Sequence, residues 1–304
     1  MKPRRSNLSV PGHVEKMHDK AGQSPADVLM FDLEDSVPLE QKERARAQVI
    51  ASLHRLDLST KTVTVRINGL DTPFGYRDLL EVAEEAGATI DAIVVPKVNG
   101  AGDIHFVDRL LSGIELQKGI DRTIGIEASI ETAAGLLHGA EIAAASPRVL
   151  SLVFGIADYS ASVGARLVSI SGHGEAEEHL YPGHRWHYPL AKIVMTAKAH
   201  GIMAIDAPYG NFKDNEGLAK SAMLACALGC DGKWAIHPGQ IETINTVFTP
   251  AADEIALAAK ILAANDQAIA AGRGAVAVEG RMVDQATVRL ARQLHSQARH
   301  LGLT

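Results

Sequence analysis

Two carboxylates follow successive apolar segments in the middle of the chain. Glu131 follows an apolar strand predicted over residues 123–128, and Asp158 follows a second predicted over residues 149–155. A predicted helix over residues 132–145 separates the strands, as in a βαβ unit. Carboxylates just past the ends of such strands face one mouth of an α/β fold. Two hard oxygen ligands without nearby Cys or His predict a Mg²⁺ site that would also accept Mn²⁺.

Each carboxylate taken alone could instead cap the helix that follows it, because the helix dipole favours an acidic residue in a first turn. Their equivalent places in successive repeats favour the metal site. Further charged residues stand at other predicted strand ends, namely Glu34, Asp35, Arg66, Lys97, Asp206 and His237. Charges crowded into a pocket of low dielectric constant are costly unless they are paired or metal-bound. The crowding therefore predicts catalysis on an anionic, metal-bound substrate.

Several of these residues leave alternatives open. The planar guanidinium of Arg66 suits a substrate carboxylate or a developing enolate oxygen. Glu34 and Asp35 could instead form a local turn and cap a helix. Lys97 could be a structural partner of a neighbouring acid, and His237 could cap a turn between a strand and a helix.

Eight apolar strands alternating with helices position these charges. They are predicted over residues 7–10, 27–33, 62–67, 91–95, 123–128, 149–155, 202–206 and 233–236. This number of strands, over this length, is typical of a (β/α)₈ TIM barrel. Periodicity alone does not show closure, so an open doubly wound sheet stays an alternative. No glycine-rich phosphate loop follows the first strand, which disfavours a dinucleotide-binding fold.

Composition excludes several classes of function. The 304 residues are 46% hydrophobic and carry a net charge of −6, which gives no support for nucleic-acid binding. The basic start lacks the apolar segment of a signal peptide, and no apolar run reaches the roughly 18 residues of a membrane span. We therefore expect a soluble, cytoplasmic protein that binds no membrane. Cys226 and Cys230 lack further ligands for a metal site and are expected to be buried, reduced thiols.

Two stretches stand apart from the repeat. Residues 167–185 form a polar insertion that contains His173, His179 and His184. A zinc site would use such residues, but without HExxH or CxxC a solvated active-site loop is favoured. The tail has two predicted helices, over 251–271 and 284–300, joined by a glycine-rich corner. The expected domains are a barrel over 1–248 and a small C-terminal helical lid or oligomerisation subdomain over 249–304.

Eight ordered motifs stand along the chain, namely RSNLSVPG (5–12), FDLEDSVP (31–38), VRINGLDTP (65–73), VVPKV (94–98), IETAAG (130–135), FGIADYSAS (154–162), GKWAIHPGQI (232–241) and GRGAVAVEGRMVD (272–284). Together they resemble the HpcH/HpaI aldolase and citrate lyase β superfamily. Within it they are most similar to the lyases that act on L-malyl-CoA and β-methylmalyl-CoA. The resemblance covers nearly the whole chain.

The resemblance assigns roles by motif. It implies a TIM barrel with Mg²⁺ held by Glu131 and Asp158. Arg66 would polarise the substrate carbonyl and hold its oxyanion, and Glu34 and Asp35 would lie beside the metal-bound waters.

For the substrate and the partner subunit, the resemblance implies that Arg5 and Lys20 approach the CoA phosphates. Asp284 would come from the lid of a neighbouring subunit in a homotrimer or homohexamer. There it would exchange the proton of the thioester methyl group. Without the resemblance, a surface aspartate that caps the last helix is the preferred interpretation of Asp284.

The implied reaction is a Mg²⁺-dependent Claisen and retro-aldol cleavage of a CoA thioester. The enzyme would interconvert malyl-CoA or β-methylmalyl-CoA with acetyl-CoA or propionyl-CoA and the 2-oxo acid glyoxylate. Cleavage of citramalyl-CoA to pyruvate, thioester hydrolysis and a non-catalytic CoA-binding subunit of a larger complex are alternatives. No GxSxG motif is present, which disfavours a covalent acyl-enzyme.

Overall fold

Eight parallel strands pair in sequence order, and the last pairs with the first to close a barrel. The computed structural model describes residues 2–167, 185–272 and 276–304. The predicted TIM barrel is confirmed, and the open sheet is excluded. The strands are β1 (Ser6–Pro11), β2 (Val28–Asp32), β3 (Thr62–Arg66), β4 (Ala92–Val95), β5 (Gly125–Ile130), β6 (Val149–Phe154), β7 (Met203–Asp206) and β8 (Gly232–Ala235).

Helices follow the strands and cover the barrel. Runs such as VLMFD in β2 and AIVV in β4 are buried throughout, as expected for parallel strands packed on both faces. The helices of the barrel unit are α1 (Glu15–Gly22), α2 (Lys42–Arg55), α3 (Gly75–Ala86), α4 (Ala101–Lys118), α5 (Ala133–Leu137), α6 (Gly139–Ala144), α7 (Ile156–Ser162), α8 (His187–Ala199), α9 (Asn215–Leu228) and α10 (Ile241–Val247).

Side chains from five strands form one buried cluster, made of Met30, Val94, Val153, Ile205 and Trp234. Side chains alternate along a strand, so Met30 and Asp32 of β2 lie on the same face of the sheet. Asp32 therefore extends the face of this apolar cluster toward the carboxyl end of the barrel.

The helix predicted over residues 132–145 is wrong in one respect, because the structure divides it into α5 and α6. His138 ends the first and begins the second, and its Nδ1 lies 3.0 Å from the carbonyl oxygen of Asn99. The predicted burial of both cysteines is also wrong for one of them. Cys230 is buried but Cys226 is exposed on α9. The helix ends at Leu228, and the left-handed Gly229 changes the direction of the chain before Cys230, so the two residues do not share one helix face.

The chain divides into two compact units, and Arg4–Thr246 forms the barrel unit. The other contains Val247–Thr304, with the helices α11 (Ala252–Ala270) and α12 (Gln285–His300). Between these helices, β9 (Val276–Val278) and β10 (Arg281–Val283) form an antiparallel hairpin. Its turn, Glu279–Gly280, has positive φ at both residues, which fits the twist of a two-residue hairpin loop.

Among the described residues, no helix is long and apolar enough to cross a membrane. The three histidines of the predicted insertion, His173, His179 and His184, lie outside the described residues.

Candidate active site at the carboxyl end of the barrel

Arg66 ends β3 and lies directly opposite Asp32, the last residue of β2, in the strand register. Its Nε and Nη2 each donate a hydrogen bond of 2.7 Å to one carboxylate oxygen of Asp32. Burial by itself would raise the pKa of Asp32, but the adjacent Arg66 lowers it to about 2. The two parallel hydrogen bonds fix the plane of the guanidinium, as in other bidentate pairs.

Two further groups hold Arg66. Its Nη1 lies 2.9 Å from Glu34 Oε2, and its guanidinium carbon lies 5.4 Å from the ring centroid of Trp234. Burial opposes the charge of Arg66, yet Asp32 and Glu34 raise its pKa well above the ordinary value. Arg66 is therefore a permanent, oriented cation at the mouth of the barrel.

Lys97, two residues past β4, lies among four carboxylates. Its Nζ is 2.5 Å from Glu34 Oε1, 3.5 Å from Asp158 Oδ1, and 3.9 Å from both Glu131 Oε2 and Asp35 Oδ1. The structure therefore brings together five residues that the sequence predicts for one site, namely Glu34, Asp35, Arg66, Glu131 and Asp158. Lys97 pairs with neighbouring acids, as its alternative interpretation has it.

Glu131 is the most deeply buried acid around Lys97. β5 ends at Ile130, two residues later than predicted, so Glu131 follows the strand directly. Its side chain is 2% exposed. Burial, together with the nearby Glu34, raises the pKa of Glu131 to about 7 despite Arg66 and Lys97. A carboxylate in such surroundings needs more positive charge nearby than these two side chains provide.

Gly155 makes room for this carboxylate at the end of β6. A Cβ atom on Gly155 would overlap Glu131 Cγ and lie 2.7 Å from Cδ and 2.8 Å from Oε1. Three residues later, Asp158 stands in the first turn of α7 with its side chain 41% exposed. A buried and a partly exposed carboxylate thus approach the same point from adjacent strands.

The donor set fits a hard divalent cation. Glu131 and Asp158 offer oxygen atoms only, as Mg²⁺ prefers, and Mg²⁺ usually keeps several waters beside one or two protein carboxylates. Across residues 2–167, 185–272 and 276–304, no group of three or more His, Cys, Asp or Glu is arranged to hold a metal. Water and substrate oxygens would therefore complete the coordination.

Arg5 and Lys20 are not brought to this site. Arg5 precedes β1, at the amino end of the barrel, and its Nε and Nη2 each lie 2.8 Å from a carboxylate oxygen of Asp27. Lys20 lies in the last turn of α1, which runs back toward the same end. The structure does not bring these two residues to the mouth, and their contacts with the CoA phosphates stay a prediction.

Two charged residues within strands were missed by the sequence analysis. Asp32 was counted as part of an apolar strand, although it is the partner of Arg66. Lys233 in β8 is fully buried, and its Nζ lies 2.5 Å from Asp206 Oδ2 and 2.7 Å from the carbonyl oxygen of Ala207. The available signal was a charge inside an otherwise apolar strand, which is costly unless a partner faces it.

Asp284 belongs to the C-terminal unit and caps α12. Its Oδ1 accepts hydrogen bonds from the backbone N–H of Thr287 at 2.8 Å and from the Thr287 hydroxyl at 2.9 Å. The hydrogen bond from the Thr287 backbone is the largest cause that lowers the pKa of Asp284. His237 likewise caps its turn, since its Nδ1 accepts a hydrogen bond of 3.1 Å from the N–H of Gly239.

Comparison with protein families defines the class. Residues 5–238 match the HpcH/HpaI aldolase/citrate lyase family, and the chain belongs to this family.

Individual relatives are similar in sequence to this chain over nearly its full length. The chain is 44% identical to an L-malyl-CoA/beta-methylmalyl-CoA lyase of Rhodobacter capsulatus, over 97% of this chain and 94% of that protein. It is 35% identical to the malyl-CoA/beta-methylmalyl-CoA/citramalyl-CoA lyase of Chloroflexus aurantiacus, over 99% of this chain and 90% of that protein. Among solved structures, it resembles CitE of Mycobacterium tuberculosis in complex with magnesium, acetoacetate and coenzyme A. That match has 28% identity, 98% coverage of both chains and a TM-score of 0.77.

The first prediction concerns the support of Arg66. Asp32→Asn leaves a buried guanidinium without its carboxylate, and losing one partner of a buried pair typically costs about 3–5 kcal/mol. Urea unfolding at pH 7 measures the loss. The exposed Asp121→Asn serves as the control and should change little.

The pH dependence of this loss has a definite sign. The pKa of Asp32 is about 2 in the folded protein and about 3.9 in an unfolded chain. The stability from its charge is therefore complete above pH 4 and declines as the pH falls toward 2. At pH 3 the gap between wild type and Asp32→Asn should narrow by about 1 kcal/mol. A gap that is equal at pH 3 and pH 7 would contradict the assignment.

The second prediction concerns Gly155. Gly155→Ala places a methyl group against the Glu131 carboxylate, so Mn²⁺ binding measured by calorimetry should weaken about tenfold or more. Gly113→Ala is the matched control, because a Cβ there meets nothing within 4 Å. Circular dichroism should show both variants folded. Unchanged Mn²⁺ affinity in folded Gly155→Ala would show that Glu131 is not a ligand.

Proposed function

We propose that this chain is a Mg²⁺-dependent acyl-CoA lyase. It cleaves malyl-CoA or β-methylmalyl-CoA reversibly to acetyl-CoA or propionyl-CoA and glyoxylate. The observation that carries the proposal is the convergence of Glu131, Asp158 and Arg66 at one mouth. Near-full-length similarity to lyases named for these substrates supports it.

Glu131 and Asp158 would hold the ion, which when bound would act as a Lewis acid toward the oxygens of the 2-oxo acid. Arg66 would donate to the oxygen on which negative charge develops as the carbon–carbon bond breaks. Donors aimed at such an oxygen are each worth about 2.7–4 kcal/mol of transition-state stabilisation. Asp32 and Glu34 keep Arg66 charged and oriented before substrate arrives, so little reorganisation is needed.

Glu34 and Asp35 would lie beside the waters around the ion, with different roles. Glu34 is buried against Arg66 and Lys97, whereas the side chain of Asp35 is 60% exposed. The difference suits one carboxylate that holds the cationic side chains and one that orients exchangeable water.

Asp284 would exchange the proton of the thioester. Cleavage leaves an enolate whose carbon must gain a proton, and synthesis requires the same proton to be removed. The metal ligands are not free for this transfer, and Asp284 belongs to a compact unit separate from the barrel. We propose that a neighbouring subunit supplies it in a homotrimer or homohexamer.

The name of the Chloroflexus relative includes citramalyl-CoA, which makes pyruvate a second candidate product. The additional methyl group of that substrate changes selectivity in a pocket by only about 1–3 kcal/mol. Whether glyoxylate or pyruvate is the preferred 2-oxo acid is therefore decided by comparing kcat/KM for malyl-CoA and for citramalyl-CoA.

The activity test uses purified protein with Mg²⁺ and separate malyl-, β-methylmalyl- and citramalyl-CoA, with identification of both products. Acetyl-CoA with glyoxylate is expected from malyl-CoA. Free CoA with intact malate would establish a thioesterase, and no turnover of any thioester would favour a non-catalytic subunit.

Removal of either proposed ligand provides the third prediction. Glu131→Gln and Asp158→Asn keep side-chain shape but remove a charged ligand. Removing a residue that only supports a metal ligand typically lowers activity roughly 10–100-fold. Turnover should fall by more than this in both variants, because each removes a ligand itself. The exposed Glu242→Gln is the control and should retain activity. Near-normal turnover and Mn²⁺ affinity in the folded ligand variants would refute the metal site.

The fourth prediction concerns Asp284. Asn keeps an oxygen that can cap α12 but cannot exchange the proton, so Asp284→Asn should fold and lose about 10²-fold or more in kcat. Mixed oligomers of Asp284→Asn and Asp158→Asn subunits should recover activity, because some sites then contain both wild-type residues. If mixed oligomers verified by two affinity tags show no recovery, Asp284 does not act across subunits.

A further inference from the structure

The ammonium group of Lys97 lies where the carboxylates converge. It makes a 2.5 Å contact with Glu34 and lies 3.5 Å from Asp158 and 3.9 Å from Glu131. Mg²⁺ ligands must approach to about 2.0–2.1 Å. A divalent ion bound to Asp158 Oδ1 at that distance would lie within about 5.6 Å of Lys97 Nζ, so the two cations would share the same carboxylates and repel each other.

The main chain of Lys97 is also unusual. Its φ of 51° is in the left-handed region, which residues other than glycine adopt rarely. Its backbone N–H donates to Glu131 Oε2 at 3.3 Å, so both backbone and side chain contact the acids. Such conformations persist where surrounding contacts hold them, and they concentrate at functional sites.

The charges at the mouth do not balance without Lys97. Asp32 and Glu34 face Arg66, which also lies 3.9 Å from Asp35. Among the ion pairs of the described residues, Glu131 and Asp158 contact no cation other than Lys97. Carboxylates that lie this close to one ammonium group repel each other unless a cation neutralises their charge. A lysine can act as a displaceable cation, because its ammonium group is a point charge at the end of a flexible side chain.

We propose that Lys97 is an internal counter-ion that occupies the carboxylate cluster in the absence of the divalent ion and competes with that ion for it. The inference rests on the proposed metal site at Glu131 and Asp158. The ammonium stabilises the metal-free barrel, and it must withdraw, at least in part, when the ion binds. Lys97 therefore limits the affinity for the ion and favours its release.

The test is calorimetric titration of Mn²⁺ into Lys97→Met, which keeps an unbranched side chain only one atom shorter and removes its charge. Mn²⁺ should bind about tenfold or more tightly than to wild type. The metal-free variant should have a lower Tm, and saturating Mn²⁺ should raise that Tm by more than it does in wild type. Lys97→Gln provides the same measurement if Lys97→Met does not fold.

Lys198→Met is the matched control. Lys198 Nζ lies 2.6 Å from Asp231 Oδ2, next to the amino end of β8 and away from the mouth. Its loss removes a lysine–carboxylate pair and should leave Mn²⁺ affinity unchanged.

The outcomes separate this inference from the proposed function. If wild type binds Mn²⁺, Glu131→Gln weakens binding, and folded Lys97 variants bind equally or more weakly, the counter-ion role is overturned while the metal site stands. If wild type binds no Mn²⁺, both are overturned.

Discussion

Among the described residues, five carboxyl groups and two cationic side chains form one connected group at the carboxyl end of this barrel, and the geometry of the mouth depends on how these charges are neutralised. The bidentate pair of Asp32 and Arg66 is the fixed part, because it links the last residues of β2 and β3 in register. Glu34 extends the pair to Lys97, which carries the network on to Glu131 and Asp158. Lys97 is the cation that contacts both Glu131 and Asp158 at the end of this network.

The closed barrel fixes the positions of these charged side chains. Because the strands are parallel and in register, residues that end neighbouring strands meet without long loops to order. Gly155 lacks the Cβ that would displace Glu131, and Trp234 presents its ring to Arg66. Buried groups thus orient the acids and the arginine, while Asp35 and Asp158 remain accessible to exchanging ligands.

The sequence predicted the eight strands well, because apolar runs alternate with helices at a regular interval. Their number favoured a closed barrel, but only the pairing of the last strand with the first shows the closure. Glu131 and Asp158 could be placed at the mouth by the same pattern, since each ends a predicted strand. Asp32 and Lys233 were missed because a pattern analysis counts them as strand, and pairing across strands becomes visible only in three dimensions. Arg5 was assigned to the CoA phosphates by its motif alone, and a motif in the sequence does not show at which end of the barrel a residue lies.

The function of the C-terminal segment remains the part least accessible to sequence patterns. Asp284 caps α12 through its contacts with Thr287, and a capping residue and a proton-transfer residue look alike in a sequence. Only the family's motif favours the second role, and the proposed oligomer would be needed for Asp284 to reach the barrel of a neighbouring subunit.

The central claim is that the acids at the mouth hold one divalent cation in exchange for Lys97. Anomalous diffraction from crystals soaked in Mn²⁺ tests it most directly. The account predicts one strong peak within bonding distance of Glu131 and Asp158 oxygens, with Lys97 Nζ moved away from the cluster. A peak elsewhere, or none at saturating Mn²⁺, would contradict it.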